Sequence, residues 1–257
     1  MMSGQELLLG ERQDLIRTRL DLSGRVIAAE LALELGVSED TIRRDLREMA
    51  ASGLCRRVYG GALRISQSLT SMSERIGIAG DSKAALARTA AGLLPAGSNV
   101  FLDAGSTNLA LARALPTGAA LTVATNAPAI AAVLLERDIP TIQLGGLVDP
   151  RVGGVVGAKA MRDAEALRPD ILVLGVCGIE REAGVTCYSF EDAEFKRFLT
   201  SRSRTVMISV TNDKLSTAAP YSVVPLSRVA RAVIEADADE TEAAAFAAAG
   251  IDIIRAG

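Results

Sequence analysis

Residues 37–62 read VSEDTIRRDLREMAASGLCRRVYGGA, and this stretch decides the fold of the N-terminal part of the chain. Ser38 is a preferred N-cap residue, and Glu39 and Asp40 follow in the first turn, where the helix dipole favours carboxylates. Thr41 comes at the third helical position. The sequence therefore predicts that a helix begins directly after Ser38.

This helix has one apolar and one cationic face. Side chains four and seven residues apart share a stripe of a helix, and here the stripe comprises Ile42, Leu46 and Met49. Three arginines gather on a face turned away from it, namely Arg43, Arg44 and Arg47. Residues 41–64 carry six arginines against two acidic residues, whereas the whole chain has a net charge of −3. The positive charge is thus concentrated, and arginine suits both phosphate oxygens and guanine edges in DNA.

The preceding segment helps to decide whether this face reads DNA, since an arginine-rich helix face by itself is typical of solvated surface. Residues 26–35 (VIAAELALEL) place Ile27, Leu31 and Leu35 at helical spacing. Gly36 follows where a left-handed C-cap residue belongs. Two helices joined by a tight glycine turn predict a helix-turn-helix.

A short hairpin is predicted after the second helix. Gly53 ends that helix, and residues 54–63 have the pattern of two strands around Gly60 and Gly61, a dipeptide that allows the positive φ of a two-residue turn. The hairpin carries Arg56 and Arg57. With the helix pair and the cationic face, it favours DNA binding over a solvated surface.

The sequence TIRRDL, preceded by GVSED and followed by SGL, RRV and GGA, resembles the N-terminal winged helix-turn-helix of DeoR-type bacterial transcriptional regulators. The order and spacing of these motifs agree with that family, and Tyr59 stands where the family commonly has histidine. The predicted DNA-contacting residues are Ser38, Thr41, Arg43, Arg44, Arg47, Arg56, Arg57 and Tyr59.

Composition excludes several classes of protein. The 257 residues contain no histidine, which removes Ser-His and Cys-His catalytic couples and histidine metal sites. Three cysteines without a CxxC pair argue against a disulfide framework or a cysteine zinc site. The longest apolar runs fall short of the roughly 20 residues that cross a membrane, and no signal peptide opens the sequence. We expect a cytoplasmic protein without a cofactor, a metal or a membrane partner.

The remainder of the chain predicts a second domain. The expected organisation is a winged helix-turn-helix domain at residues 1–63, whose first helix lies at 7–20, a serine-rich linker at 64–77, and a larger domain at 78–257. Helices alternating with short apolar strands predict a parallel, layered α/β sheet. Strands are expected at residues 100–102, 121–124, 141–144, 171–176, 205–210, 229–235 and 251–254, and helices at 83–94, 108–115, 129–136, 158–167, 192–202 and 240–248.

Polar residues and glycines follow several of these strands, where ligands bind in such sheets. The first strand runs into DAGST (residues 103–107) and then a helix, so that glycine, helix N-terminal amides and two hydroxyls form the outline of a phosphate site. Later strands end in Thr125-Asn126, Gly145-Gly146, Gly175 and Gly178, and Lys214 follows another. Such residues also occur simply as turn formers, and for Gly145-Gly146 and Gly175 that alternative stays open.

The same positions extend the resemblance to the sensor domain of DeoR-type regulators, over residues 11–237. That domain is related in fold to ribose-5-phosphate isomerase, and members commonly respond to phosphorylated sugars or related metabolites. The resemblance implies phosphate contacts from Ser106 and Thr107. Asn212-Asp213 replaces the Ser-Ser often seen before the later lysine. The complete predicted effector-binding set is Asp103, Gly105, Ser106, Thr107, Asn126, Gly146, Glu194, Lys196 and Lys214.

The leading hypothesis is a transcriptional regulator, most often a repressor in this family, that binds operator DNA as a homodimer or homotetramer and responds to a phosphorylated sugar. An alternative is a sugar-phosphate isomerase or transferase-like enzyme, in which Asp103, Glu194 and Lys214 converge as acid, base and electrostatic groups. A protein-binding adaptor is a third reading. The enzyme has no use for a winged helix, and the adaptor leaves the arginine face unexplained.

Overall fold

The computed structural model describes residues 9–23, 25–52, 54–58, 60–64 and 70–257. The chain divides into two compact units, residues 1–66 and 67–257. No helix in the described part of the chain is long and apolar enough to cross a membrane.

The N-terminal unit is a winged helix-turn-helix. Its antiparallel sheet has the order β1-β3-β2. Helices and strands together enclose a small aliphatic core that includes Ile16, Leu20, Leu31 and Leu46. The elements are α1 (Leu9–Ser23), β1 (Arg25–Ile27), α2 (Ala28–Leu35), α3 (Glu39–Ala51), β2 (Cys55–Val58) and β3 (Gly61–Arg64).

Helix α3 confirms the prediction made from residues 37–62. The Ser38 hydroxyl accepts a hydrogen bond from the backbone N–H of Thr41, as an N-cap should. Gly36 ends α2 in the left-handed conformation with φ 66°. The predicted stripe of Ile42, Leu46 and Met49 is buried. Hydrophobic spacing therefore fixes which face of α3 packs and which faces solvent.

The prediction for the segment before α2 is wrong in one respect. Residues 25–27 form a strand and not the first turn of a helix. Ile27 pairs with Gly61 and remains 40% exposed, while Ala28 and Leu31 supply the buried face. β-branched side chains favour such a strand. A third strand in the sheet had no sequence signal of its own, since three residues are too few to show a period.

The turn of the hairpin also differs from the prediction that Gly60 and Gly61 form it together. Val58 pairs with Gly61, so Gly61 belongs to β3, and Gly60 supplies the positive φ of 83°. A Cβ on Gly61 would lie 2.0 Å from the Val26 carbonyl oxygen. Glycine is needed there for the close approach of β1 and β3, and not for the turn. Gly53 and Tyr59 lie outside the described residues.

A buried ion pair that the sequence did not indicate joins α1 to α3. Asp45, 1% exposed, accepts two hydrogen bonds from the Arg12 guanidinium, from Nε at 2.5 Å and from Nη2 at 3.1 Å. Bidentate geometry of this kind fixes the orientation of both side chains. It therefore orients the DNA-facing helix against the first helix of the unit.

The second unit contains a seven-stranded parallel sheet of order β15-β14-β12-β9-β4-β5-β6. Side chains alternate between two cores along the central strands, with Phe101 in one and Val100 and Leu102 in the other. Both faces are thus covered, as is usual for parallel sheets. The sheet strands are β4 (Asn99–Leu102), β5 (Thr122–Thr125), β6 (Thr141–Gln143), β9 (Ile171–Leu174), β12 (Thr205–Val210), β14 (Arg231–Ile234) and β15 (Asp252–Arg255).

Seven helices accompany this sheet in the described chain: α4 (Met72–Gly77), α5 (Gly80–Gly92), α6 (Ser106–Ala114), α7 (Pro128–Leu135), α8 (Ala158–Ala164), α9 (Phe190–Arg202) and α10 (Glu240–Ala248). Five further strands form smaller sheets: β7 (Val148–Asp149) with β8 (Gly154–Val155), and β10 (Gly178–Glu180), β11 (Gly184–Cys187) and β13 (Tyr221–Val224). All seven predicted strands of the main sheet are present, which confirms the α/β fold class. The five short strands were missed.

The linker predicted at residues 64–77 differs from the structure at both ends. Residue 64 ends β3, and α4 occupies residues 72–77. Ser71 and Glu74 form a capping box, for which the S-x-x-E spacing in the sequence is a signal. The Met72 backbone N–H donates to the Pro150 carbonyl at 3.0 Å. Helix α4 is therefore part of the second unit.

Candidate functional site

The cationic face of α3 is exposed as predicted. Arg43, Arg44 and Arg47 all reach solvent. Arg43 pairs with Glu39 at 2.7 Å and Arg44 with Glu48 at 3.3 Å, each one helical turn away. Exposed pairs of this kind contribute little stability. These arginines can therefore exchange a carboxylate for a DNA phosphate or base edge at low cost.

The wing brings a further arginine to the same surface. Arg43 on α3 and Arg57 on β2 line one concavity of about 230 Å³, whose floor includes Gly60 and Gly61. Arg56 lies in β2, but its side chain is not described, and Tyr59 lies outside the described residues. The Ser38 and Thr41 hydroxyls are 2.8 Å apart at the N-cap, so these residues also shape the start of the helix.

The second unit contains a cavity of about 260 Å³ at the carboxyl ends of β4, β9 and β12. This is the edge of a parallel sheet where ligands bind. It is lined by Arg75, Ala104, Gly105, Ser106, Thr107, Asn108, Asp149, Arg151, Val152, Leu174, Gly175, Val176, Cys177, Tyr188, Ser189, Asp192, Lys196, Ser209 and Lys214.

Five of the predicted effector-binding residues line this cavity: Gly105, Ser106, Thr107, Lys196 and Lys214. Ser106 and Thr107 form the first turn of α6, where backbone N–H groups without helical partners favour an anion. The Thr107 and Ser209 hydroxyls are buried without a hydrogen-bond partner among the described residues. Buried polar groups are normally satisfied, so a polar ligand or water is expected to reach them.

Asp103 and Asn126 do not line the cavity but hold its loop in place. Asp103 is fully buried and accepts hydrogen bonds from the backbone N–H groups of Ala104, at 2.8 Å, and Gly175, at 2.9 Å. The Asn126 side-chain oxygen Oδ1 accepts from the same Ala104 N–H, and the side-chain Nδ2 donates to the Val155 carbonyl oxygen. The structure gives both residues a positioning role where direct ligand contact was predicted.

Gly175 allows these two strand ends to meet. A Cβ at this position would lie 2.4 Å from the Ala104 carbonyl oxygen. Both atoms are fixed by the backbone, so no side-chain rotation could relieve this clash. By contrast, a Cβ on Gly105 would meet nothing closer than the Gly175 Cα at 3.9 Å. Gly175 is thus needed for the close approach of the two strand ends. The sequence alone had left a turn as an equal alternative for this glycine.

Lys196 forms a buried cluster with two carboxylates. Its Nζ lies 2.6 Å from an Asp103 oxygen and 3.0 Å from an Asp192 oxygen. Burial acts to lower the pKa of Lys196, but the two carboxylates outweigh it and raise the pKa above its ordinary value. Burial raises the pKa of Asp192, against the pull of Lys196. The lysine therefore stays protonated at the cavity wall.

Two other cations are less well compensated. Lys214 ends the 3-10 helix Asn212–Lys214, and burial lowers its pKa while Asp213 opposes the shift. Burial also lowers the pKa of Arg75. A half-buried cation whose charged form is disfavoured gains from an anionic ligand. The cavity is therefore electrostatically suited to an anion.

Glu194 and Gly146 were predicted as contacts but are not among the cavity-lining residues. Glu194 pairs with Arg197 and is 44% exposed. It precedes Lys196 by two residues, which places the two side chains about 200° apart around the helix. Gly146 has φ 143°, and a Cβ there would meet the Val155 side chain at 2.6 Å. The turn or packing alternative thus describes Gly146 better than ligand contact.

Several lining residues had no sequence prediction, including Arg75, Asp149, Arg151, Tyr188, Ser189 and Asp192. Most come from short or irregular segments without hydrophobic period. Asp192 had a usable signal, since it precedes Lys196 by one helical turn, the spacing that brings side chains together. Arg75 had one too, because the capping box at Ser71 marks the start of its helix.

The N-terminal unit is a winged helix-turn-helix with an exposed arginine face, and the α/β domain that follows it in the chain has a cavity suited to an anion. Together these features define a ligand-responsive DNA-binding regulator. A family model described as the DeoR-like helix-turn-helix domain matches residues 12–68. The model of the DeoR C terminal sensor domain matches residues 79–236. The chain belongs to the DeoR family, and it is a DNA-binding transcriptional regulator.

Curated relatives are regulators of the same kind. The chain is 33% identical over 208 residues to the glycerol-3-phosphate regulon repressor of Escherichia coli (strain K12), covering 80% of this chain and 82% of the relative. It is 31% identical over 225 residues to the HTH-type transcriptional regulator GolR of Listeria innocua, covering 85% and 87%.

Among solved structures, ribose 5 phosphate isomerase A from Neisseria gonorrhoeae aligns with a TM-score of 0.40 and 15% identity, covering 52% of each chain. Both values are low, so the activity of that enzyme is no guide to this chain. The family match and the sheet topology define the domain instead.

Proposed function

We propose that this protein is a transcriptional repressor whose affinity for operator DNA is controlled by a small phosphorylated sugar or polyol. The relative from Escherichia coli is named as a repressor of a glycerol-3-phosphate regulon, which favours repression and a small phosphate ester. The observation that carries the effector half is the cavity itself. It combines the N-terminal turn of α6 with Lys196, Lys214 and Arg75.

In this proposal the phosphate group binds at Gly105, Ser106 and Thr107. Helix N-terminal amides and hydroxyls donate to its oxygens, and Lys214, which lines the same cavity, neutralises charge. The carboxylates Asp149 and Asp192 lie in the same cavity and can accept hydrogen bonds from sugar hydroxyls. A ligand with an anionic end and a hydroxylated end matches this division.

The DNA half rests on α3 and the wing. Arg43 and Arg44 are proposed to contact bases, while Arg57 contacts phosphates. A single winged unit offers a small interface, so we propose that a homodimer or homotetramer places two units on two half-sites. The proposed compartment is the cytoplasm.

An enzymatic role is disfavoured by the placement of its candidate groups. Asp103 is buried against Lys196 and two backbone amides, and Glu194 pairs with Arg197 away from the cavity lining. Lys214 is the one member of that set that lines the cavity. Because acid and base must both reach the reacting atoms, we propose sensing without turnover.

The experiment begins by selecting an operator from a random duplex library with the purified protein. Operator affinity is then measured with and without glycerol 3-phosphate, fructose 6-phosphate, ribose 5-phosphate and inorganic phosphate, alongside an isomerisation assay. At least one phosphate ester should shift operator affinity by roughly 5- to 150-fold without being converted. No shift with any ester, or conversion at enzyme-like rates, would contradict the proposal.

A further inference from the structure

Arg75 joins the effector cavity to the helix that opens the second unit. Helix α4 is the first helix after the segment that leads from β3, so in chain order it is the first part of the sensor unit to be reached from the DNA-binding unit. Its Arg75 side chain lines the cavity. None of the residues predicted to bind the effector lies on α4.

One end of the Arg75 guanidinium fastens α4 to the loop between β7 and β8. Nη2 donates to the carbonyl oxygens of Arg151, at 2.5 Å, and Val152, at 3.1 Å. The packing beneath α4 is tight, since a Cβ on Gly153, where φ is 80°, would lie 2.5 Å from Cγ of Met72. Lys83 adds a second attachment by donating to the Arg75 carbonyl oxygen at 2.6 Å.

A second donor of the guanidinium has no partner among the described residues. The Nε–H of Arg75 is buried and has no hydrogen-bond partner among the described residues. Thr107 and Ser209 present buried hydroxyls without such partners in the wall of the same cavity, at 6% and 5% exposure. A buried donor without an acceptor is costly, and a phosphate oxygen is a strong acceptor for a guanidinium.

We propose that Arg75 contacts the anionic effector through its guanidinium, whose Nε–H has no partner among the described residues, and that α4 is thereby the element through which effector binding alters DNA affinity. This inference rests on the proposed function. Different donors of one guanidinium then serve different partners, loop carbonyls and ligand. A ligand that draws the guanidinium changes how firmly α4 is held on the loop at residues 150–153, and α4 is the first helix of the second unit in chain order.

Two kinds of variant separate the role of Arg75 in ligand binding from the role of α4 in coupling. Arg75→Gln removes the cationic donor, and Arg75→Lys keeps the charge but not the planar arrangement of N–H groups. Ser71→Ala with Glu74→Ala removes the capping box of α4 without touching a cavity-lining residue. Arg88→Gln, an exposed arginine on α5, is the matched control for loss of a positive charge.

The test uses the full-length protein, the selected operator, and whichever of the four phosphate probes the wild type binds by titration calorimetry. Arg75→Gln should bind that probe roughly 10- to 100-fold more weakly, with Arg75→Lys in between and Arg88→Gln unchanged. The capping-box variant should bind the probe within about 2-fold of wild type, yet show a smaller effect of the probe on operator affinity.

The outcomes separate the inference from the proposed function. If the wild type binds a probe and Arg75→Gln binds it equally well, Arg75 only fastens α4 and the inference is wrong, although the proposed function survives. A folded capping-box variant with the full probe effect on operator affinity would overturn the role of α4. If the wild type binds none of the phosphate probes, both the proposed function and the inference fail.

Discussion

The DNA-facing surface and the effector cavity are built in opposite ways. The cationic face of α3 comes from one continuous helix, and its Arg43 and Arg44 pair with acids one turn away in solvent. The cavity is assembled from at least five separate segments, and the ion pair that supports its wall, Asp103 with Lys196, joins buried residues 93 positions apart. Local, exposed charges can be exchanged at low cost, whereas distant, buried ones fix a shape.

The largest effect is predicted for the buried ion pair of the second unit. Asp103→Ala leaves Lys196 buried with Asp192 alone, and removes the acceptor of the Gly175 N–H and one of the two acceptors of the Ala104 N–H. The free energy of unfolding of the second unit should fall by about 3–5 kcal/mol. Denaturant titration followed by a probe within each unit measures it. Equal stability in wild type and variant would show that the pair does not organise the loop.

Asp45→Ala is the matched control, since Asp45 is the buried carboxylate of the N-terminal unit and pairs with Arg12. Its loss should destabilise the N-terminal unit and operator binding while leaving effector binding intact. Asp103→Ala should have the reverse pattern. If both variants destabilise both units equally, the two units do not fold as separate bodies.

A smaller effect is expected from the arginines. Arg43→Ala or Arg44→Ala should each cost roughly 1–3 kcal/mol of operator binding if it removes a bidentate base contact. Arg57→Ala should instead weaken all DNA sequences similarly and reduce the salt dependence. Gel-shift titrations at two salt concentrations distinguish these patterns. Unchanged operator affinity in a folded variant with Arg43, Arg44 and Arg47 all replaced by alanine would contradict a reading role for α3.

The smallest effect concerns the exposed acids. Glu48→Gln removes the partner of Arg44, an i,i+4 pair worth about 0.3–0.5 kcal/mol. Stability should hardly change, and operator affinity should rise slightly because the freed arginine no longer exchanges partners. Thermal unfolding and gel-shift titration measure the two quantities. A loss of stability comparable to that of Asp45→Ala would show that the exposed pair is structural.

The same difference explains what could be predicted from the sequence. Helix α3, its cap at Ser38 and the main strands were predictable because a helix period or an apolar run lies within the element itself. The cavity loop was predictable because DAGST follows a strand and precedes a helix. Residues such as Asp149 and Arg151 were not, because their segment shows no hydrophobic period.

Glu194 illustrates a limit of helix spacing. Both Glu194 and Lys196 are predicted effector contacts, although residues two apart point to opposite sides of a helix, and Asp192 has the spacing that reaches Lys196 instead. Asp103 illustrates the opposite limit. Its position after a strand was recognised, but whether it faces the ligand or the backbone depends on Gly175 and Lys196, which the sequence does not place beside it.

The coupling of the cavity to DNA binding is tested most directly by measuring operator affinity with and without a bound phosphate ester in three proteins. These are the wild type, the Ser106→Ala/Thr107→Ala variant and Lys214→Ala. The effector should shift wild-type affinity by roughly 5- to 150-fold, and both variants should lose that shift while their affinity without effector stays within about 2-fold of wild type. Variants that keep the full effector response would contradict the account.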